Sequence, residues 1–209
     1  MASLTRRGPG RPPAAKSAET RGRIVRAARE VFSELGYDGG TFQEIAVRAD
    51  LTRPAINHYF PSKLALYRHV VEDANKMVMS AGADHAQRES TFAGRMQAFI
   101  QSGMESVNQD PTVAAFLVSS VLEFQRNPQF RDDPDNPLTW GRGFAGWILR
   151  EAVEAGELPA DTDIDATTEM LIAMLLGLGL YAGYVGSWAQ LEVVTEQFLR
   201  MLGGDLRTK

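Results

Sequence analysis

Apolar residues recur at steps of three and four along most of this chain, which is the spacing that places them on one face of an α-helix. The first such stripe runs from Ile24 to Leu35, and Gly36 follows it in the position where glycine commonly ends a helix. The pattern predicts a first helix over about 18–35. No segment shows the regular alternation of a half-buried strand, so we expect an all-α fold.

Two short helices with clear start signals follow. Thr41 and Glu44 have the spacing of a capping box, in which each side chain accepts a hydrogen bond from the other residue's backbone amide. Thr52 is placed to cap a third helix, Arg53 to Tyr59, in which Pro54 is tolerated because it lies in the first turn. Two short helices joined by a tight turn form the layout of a helix-turn-helix, whose second helix enters the major groove of DNA.

The rest of the chain is also predicted to be helical. A fourth helix is expected over about 63–80, and clusters of Pro, Gly, Asn and Asp separate five more. These five are predicted over about 90–108, 111–125, 137–155, 164–185 and 188–202. The predicted architecture has about nine helices, with a flexible basic arm at 1–16, a three-helix helix-turn-helix domain at 17–62 and a linking helix that opens a helical bundle at 63–209.

The charge is distributed unevenly, although the net charge is only −4. Residues 1–70 carry 12 Lys and Arg against 6 Asp and Glu, whereas residues 71–209 carry 10 against 20. A basic module followed by an acidic one indicates that the first module meets a polyanion. Nucleic acid is the first partner to consider.

Composition argues against an enzyme. The chain has no cysteine and only three histidines, His58, His69 and His85, none at metal-ligand spacing. It contains neither a Gly-x-Ser-x-Gly elbow nor a Walker phosphate loop. We therefore expect no catalytic residue, no metal site and no cofactor.

Nothing at the N-terminus has the apolar stretch of a secretory signal, which predicts a cytoplasmic protein. One segment, Met170 to Leu191, has 22 consecutive uncharged residues, close to the length of about 20 that crosses a bilayer. Four glycines lower its apolar density, and acidic residues precede it instead of Lys or Arg anchors. We interpret it as a packing helix and expect no membrane partner.

The most specific signal lies around the two short helices. The helix-end pair Gly36-Tyr37, the capped T-x-x-E-I-A that begins at Thr41 and the H-Y-F-P-S-K that begins at His58 occur in this order. Together they resemble the DNA-binding domain of the TetR family of bacterial transcriptional regulators, over about residues 20–70.

Two positions depart from the usual pattern of that family. Asp50 occupies the turn position that is commonly Gly, and Asp tolerates a left-handed backbone at small cost. Asn57 replaces a customary Tyr on the recognition helix, so phosphate anchoring by that Tyr is not expected here. Its amide instead offers a bidentate partner for adenine.

The chemistry of the side chains assigns roles in DNA binding. We expect base contacts from the recognition helix at Arg53, Ala55, Asn57 and His58. An Arg fork matches guanine, an Asn amide matches adenine and an Ala methyl meets the thymine methyl, whereas His58 is equally well explained as a neutral surface or capping imidazole. Phosphate contacts are expected near the helix termini from Thr41, Thr52, Tyr59 and Lys63.

The arm is rich in arginine, with Arg6, Arg7 and Arg11 separated by Gly and Pro. Gly10-Arg11-Pro12 resembles the core of a minor-groove AT-hook, in which an extended backbone lets Arg enter a narrow groove. A flexible basic tail that adds affinity through counterion release explains the same residues.

The family resemblance implies that the C-terminal part forms a homodimer around a ligand chamber whose occupancy moves the two DNA-binding domains apart. We expect the dimer interface on the apolar stripe Leu171, Met174, Leu175, Leu178, Gly179, Ala182 and Gly183, which could equally be intramolecular core. Candidates for the chamber wall are mostly aromatic residues and Met, namely Phe92, Met96, Phe99, Met104, Phe116, Phe124, Trp140, Phe144, Trp147 and Tyr181. Such a wall suits a small apolar or aromatic effector.

The sequence thus predicts a homodimeric regulator that binds a palindromic double-stranded DNA operator. We expect a repressor that a small, largely apolar ligand releases. Two alternatives stay open, an activator of the same fold and an architectural DNA-binding protein without an effector.

Overall fold

Every segment predicted to be helical forms a helix in the part of the chain that the structure describes. A computed structural model of the protein describes residues 13–130 and 133–203. The α-helices are α1 (Pro13–Gly39), α2 (Phe42–Arg48), α3 (Arg53–Tyr59), α4 (Lys63–Asn75), α5 (Ala81–Ala86), α6 (Phe92–Gln109), α7 (Thr112–Arg126), α8 (Pro137–Glu154), α9 (Ile164–Leu180) and α10 (Trp188–Leu202). These residues contain no strand, and the all-α prediction is confirmed.

Three irregular segments join or extend these helices. A π-helical turn, Lys76–Ser80, makes α4 and α5 one continuous helix, so the described residues hold nine helices when the two are counted together. A second π-helical segment, Tyr181–Val185, extends α9, and a 3-10 turn, Pro128–Phe130, follows α7.

Two predicted boundaries differ from the structure. The first helix begins at Pro13 instead of 18, so residues 13–16, assigned above to the arm, form its first turn. Proline suits this position because the first amides of a helix have no partner within it. The rest of the arm, residues 1–12 with its three arginines, lies outside the described residues. The fourth helix, predicted to end near 80, continues to Ala86.

Gly36 interrupts α1 where the sequence predicted its end. Its backbone has φ 69°, in the left-handed region that glycine enters at no steric cost. A Cβ at this position would lie 2.7 Å from Oε1 of Glu123, the same oxygen that accepts a hydrogen bond from the Tyr37 amide at 3.2 Å. The last turn of α1, after the interruption at Gly36, is therefore fixed to α7 in the second half of the chain.

One hydrophobic core joins the three N-terminal helices to α4 and α7. Tyr67 of α4 lies at its centre, with ring centroids 5.0 Å from Phe32 and 5.9 Å from Phe116. Burial raises the pKa of its phenol, which is therefore neutral at physiological pH. Because α7 contributes Phe116 and Phe124 to this cluster, the predicted domain boundary at residue 62 does not separate two cores.

A second core holds the rest of the C-terminal half together. It is built from α6, α8, α9 and α10, and its aromatic centre is the stacked pair Phe99 and Phe144, 4.0 Å apart. Gly82 of α5 lies against this pair, since a Cβ there would come within 2.5 Å of the Phe99 ring. Glycine at this position therefore permits the close packing of α5 on α6.

A buried ion cluster crosses the junction between the two halves. Arg29 of α1 is 3% exposed and donates to Oδ2 of Asp73 on α4 at 2.7 Å and to Oδ2 of Asp110 at 2.5 Å. Asp110 also holds the first residue of α7, because its Oδ1 accepts a hydrogen bond from the Thr112 amide at 3.1 Å. One guanidinium thus links α1 to α4 and to the start of α7.

Replacing Arg29 by Met keeps its apolar stem and leaves both carboxylates without their partner. Removing one member of a buried pair typically costs about 3–5 kcal/mol. Because the Asp73 side chain is 41% exposed, we expect urea unfolding to show a loss of about 2–3 kcal/mol. The control is Arg142→Met. The Arg142–Glu169 pair is about half exposed on both sides, so its loss should cost much less than the loss of Arg29. Equal losses would contradict a structural role for the cluster.

Candidate nucleic-acid interface and internal cavity

The predicted recognition helix, α3, begins as the sequence indicated. The Thr52 side chain accepts from the Ala55 amide at 3.3 Å, and Pro54 lies in the first turn. Ile56 is fully buried and fixes the inner side of the helix against the first core. The opposite side is therefore available to a partner.

Three of the four predicted base-contact residues lie on that outer side. Arg53, Asn57 and His58 are exposed, and Ala55 is half-buried. Within the described residues Arg53 has no ion-pair or hydrogen-bond partner, so its guanidinium fork is free to donate. His58 packs edge-on against the Tyr59 ring, with centroids 5.3 Å apart.

The turn between α2 and α3 is held by Asp50 and by an arginine that sequence reasoning missed. Asp50 has φ 52°, and among the described residues it is the one residue other than glycine with a positive φ. Arg23 of α1 donates through Nη2 to the backbone oxygens of Ala49 at 2.5 Å and Asp50 at 3.1 Å. These bonds satisfy carbonyls at the end of α2 and fix the angle at which α3 leaves the turn.

The four residues predicted to contact phosphate are not equally free. The Thr41 hydroxyl donates to Oε2 of Glu44 at 2.8 Å within the capping box, which is present as predicted. Thr52 is exposed and Tyr59 is half-buried. Lys63 donates through Nζ to the backbone oxygens of Tyr37 at 2.8 Å and Asp38 at 3.1 Å, and it lies over the Tyr37 ring. Lys63 thus fastens α4 to the end of α1, a use that its sequence position did not reveal.

Two further arginines lie in the same module with different surroundings. Arg21 is exposed, and its guanidinium lies 4.5 Å from the centre of the Phe60 ring, next to the end of α3. Arg48 of α2 forms a bidentate pair with Glu34 at 2.7 and 2.8 Å, and this pairing lowers the pKa of the Glu34 carboxyl. Arg21 is therefore the better candidate for a phosphate contact.

A cavity of about 150 Å³ lies in the C-terminal half between the π-helical turn Lys76–Ser80 and helices α6 to α10. Its wall is almost wholly aliphatic. Phe99 and Met104 line it as the sequence predicted, together with Val78, Met79 and Leu117. Thr195 of α10 is the one polar side chain in the wall that the structure describes.

Eight of the ten residues predicted to line the chamber do not line this cavity. Phe116 and Phe124 belong to the first core, and Met96 and Phe144 belong to the second. Phe92, Trp140, Trp147 and Tyr181 are partly exposed outside the cavity wall. The physical reason is volume, since large rings fill a close-packed interior and space remains where small residues such as Gly103, Ala114 and Gly141 stand.

The stripe predicted to form the dimer interface faces the interior of its own chain. Leu175, Leu178, Gly179 and Ala182 line the cavity, Leu171 is fully buried, and Met174 packs against the second core. A Cβ on Gly183 would lie 2.7 Å from the backbone nitrogen of Ala115, so this glycine packs tightly on α7. The stripe is therefore an intramolecular face, which was the other interpretation left open.

Two family profiles match this chain. The profile described as bacterial regulatory proteins of the tetR family matches residues 24–70, which hold α2 and α3. The profile described as the C-terminal domain of tetracyclin repressor-like proteins matches residues 86–178, which hold much of the cavity wall. The chain belongs to the TetR family.

Similar proteins agree with this assignment. The transcriptional regulator UidR of Escherichia coli strain K12 is 24% identical over 159 residues, which are 76% of this chain and 79% of UidR. The transcriptional repressor BepR of Brucella suis biovar 1 is 27% identical over 191 residues, covering 83% and 82%. The crystal structure of the Bacillus subtilis regulator FadR in complex with stearoyl-CoA superposes with a TM-score of 0.71 at 19% identity, over 86% of this chain and 96% of FadR, and shows a shared fold.

Members of the TetR family are DNA-binding transcriptional regulators. In this chain the π-helical turn Lys76–Ser80 contacts both the cavity and the buried ion cluster around Arg29. Val78 and Met79 of the π-helical turn line the cavity. Met77, in the same turn, has its sulfur 3.6 Å from Nη2 of Arg29, and its carbonyl accepts from the Ser106 hydroxyl at 2.9 Å. A change in the cavity can therefore reach α1 through directly packed groups.

If Arg53 contacts bases, its replacement by Ala should lower affinity for a cognate operator by about 1–3 kcal/mol and leave affinity for random DNA nearly unchanged. If Arg21 contacts phosphate, Arg21→Ala should weaken binding to every sequence alike and reduce the salt slope by about one. Fluorescence anisotropy over a salt series measures both quantities.

The matched control is Arg150→Ala, which removes an exposed arginine from α8 and should change neither quantity. Lys63→Ala was expected from the sequence to behave like a phosphate contact, yet it also removes the link between α4 and the end of α1. Its DNA affinity must therefore be compared with its unfolding midpoint. Losses of equal size on cognate and random DNA for both Arg53→Ala and Arg21→Ala would contradict this division of roles.

Proposed function

We propose that this protein is a homodimeric transcriptional repressor that reads a palindromic operator with α3 and leaves it when a small apolar ligand enters the cavity. The observation that carries the proposal is the outer side of α3, where Arg53, Asn57 and His58 are exposed on a helix whose inner side is fixed by Ile56. A free guanidinium and a free amide at these positions match the base edges of the major groove. We place the protein in the cytoplasm, where its DNA would be.

The cavity gives the ligand a route to the DNA-binding helices. A ligand that fills it would press on Val78 and Met79, and the same turn holds Met77 against Arg29. The ligand acts by binding more tightly to the arrangement of α1 and α4 that binds DNA poorly. By linkage, saturating operator must then weaken ligand binding by the same factor. The Bacillus subtilis regulator FadR, a protein of the same fold, forms a complex with stearoyl-CoA, which supports a ligand with an apolar part.

The outer side of α9 would form the dimer interface by packing against the same helix of a second copy of the chain. Met170, Ala173, Gly177 and Leu180 follow one another at steps of three and four on the side opposite the cavity. Met170 and Leu180 are each about half exposed in the single chain, and no atom lies within 4 Å of a Cβ on Gly177. Two such stripes related by a two-fold axis would cover each other in the spacing of a helix–helix seam.

The same pairing accounts for the apolar length of this segment. Ile164–Val185 is the one helix in the described part of the chain that is long and apolar enough to cross a membrane. In the proposed dimer one side of it faces the cavity and the other faces the partner helix. A membrane is then not needed to cover it.

The proposal is tested by selecting operators from a random duplex pool and measuring anisotropy on the selected and scrambled sequences. We expect palindromes whose half-sites are a whole number of helical turns apart, bound by two chains. The preference over scrambled DNA at physiological salt should be at least about 10³-fold. Equal affinity for both would instead indicate an architectural DNA-binding protein. Increased transcription from a promoter carrying the selected site would indicate an activator.

The dimer is tested by Leu180→Glu, which places a charge in the proposed seam. Sedimentation equilibrium should give the mass of two chains for the unaltered protein and of one chain for the variant, because an unpaired charge in an apolar interface costs several kcal/mol. The control is Leu35→Glu on α1, since Leu35 is 47% exposed and Leu180 is 48% exposed. A dimer that survives Leu180→Glu would place the interface elsewhere.

A further inference from the structure

One unpaired hydroxyl lies in the wall of the cavity. Thr195 is 4% exposed, and its Oγ1 has no hydrogen-bond partner among the described residues. A threonine hydroxyl inside a helix commonly donates to a carbonyl one turn earlier. Thr167 of α9 does so, because its hydroxyl donates to the backbone oxygen of Asp163 at 2.7 Å. An unpaired buried hydroxyl destabilises the empty protein, whereas a ligand that accepts its hydrogen bond would remove that cost.

The remainder of the wall excludes charged groups. Twenty-one of its 22 residues are apolar or glycine, and it contains no Asp, Glu, Lys, Arg or His. A carboxylate, phosphate or ammonium placed here would lose its hydration without gaining a counter-charge. The part of a ligand that enters the cavity is therefore neutral.

The volume of the cavity limits the size of that part. A dry apolar cavity of about 150 Å³ accommodates benzene in a protein interior. The cavity in this protein, also about 150 Å³, thus has room for roughly six to eight non-hydrogen atoms.

We propose that the cavity binds a neutral hydrocarbon ring or short chain of this size that carries one oxygen acceptor, to which the Thr195 hydroxyl donates. This assignment rests on the proposed function in that the molecule would be the effector. The acceptor is a carbonyl or ether oxygen, and Thr195 is the residue that distinguishes it from a plain hydrocarbon of equal shape.

Two probes of nearly identical shape test the acceptor. Cyclohexanone and methylenecyclohexane differ by an oxygen in place of a CH₂ group, and hexanoate adds a charge. Titration of protein with ¹³C-labelled methionine methyl groups reports the site, because Met79 and Met104 line the cavity whereas Met201 is on the surface and outside the proposed dimer seam. We expect shifts at the first two, a preference of about five- to tenfold for the ketone and no binding of hexanoate.

The variant Thr195→Val keeps the shape of the side chain and removes its hydroxyl. It should lose the ketone preference and bind methylenecyclohexane more tightly than cyclohexanone, because the buried ketone oxygen then has no donor. Its thermal midpoint should equal or exceed that of the unaltered protein, because an unpaired group has been removed. The control Thr167→Val removes a hydroxyl that is bonded and lies outside the cavity wall. It should keep the ketone preference and lower the midpoint.

Four outcomes would overturn the assignment: no binding of either neutral probe, equal binding of both by the unaltered protein, a ketone preference that survives Thr195→Val, or tighter binding of hexanoate. Operator binding is measured separately by anisotropy. If the operator is bound selectively while the probes fail, the ligand class is wrong and the regulator stands. If the probes bind as expected and no sequence is selected, the regulator is wrong and the binding site stands.

Discussion

Arg29 is a cation enclosed by three helical elements, and its charge has to be neutralised where it lies because burying an unpaired charge costs several kcal/mol. Asp73 and Asp110 supply the two carboxylates. They can reach one guanidinium only when α1, α4 and the start of α7 keep their relative positions. The aromatic cluster around Tyr67 closes the same junction with apolar contacts. The position of the recognition helix relative to the cavity therefore depends on this junction.

The cavity and the core compete for the same interior volume. Most aromatic residues of the C-terminal half pack closely against other side chains, and Phe99, which stacks on Phe144, is the aromatic residue that also borders the cavity. The cavity remains where glycine and alanine leave room, on α6, α7, α8 and α9. An apolar cavity with one polar group would select a ligand mainly by its shape and its lack of charge. The Thr195 hydroxyl would then be the main source of any preference between ligands of the same shape.

The N-terminal signals were local, which is why the sequence predicted them well. A capping box joins residues three positions apart, and a Thr at the start of a helix bonds to an amide in the next turn. Gly36 and Asp50 are residue types that tolerate the positive φ found at their positions. The same short-range spacing predicted which side of α3 is exposed. It could not predict that Arg23 and Lys63 donate to backbone oxygens of other elements, because those oxygens lie about 26 residues away in the chain.

Spacing within one or two turns was enough to predict the helical class, most helix boundaries, the helix-turn-helix and its family. The inward side of α9 could not be predicted in this way, because it depends on the packing of other helices. Helix α9 is apolar nearly all round, so its sequence contains no polar stripe to mark an outer side. Its inward side is fixed by contacts with the preceding helix α8 and with α7, which lies about 40 to 50 residues earlier in the chain. The same holds for the cavity wall and for the Thr195 hydroxyl, because the packing of several helices determines which residues border the empty space.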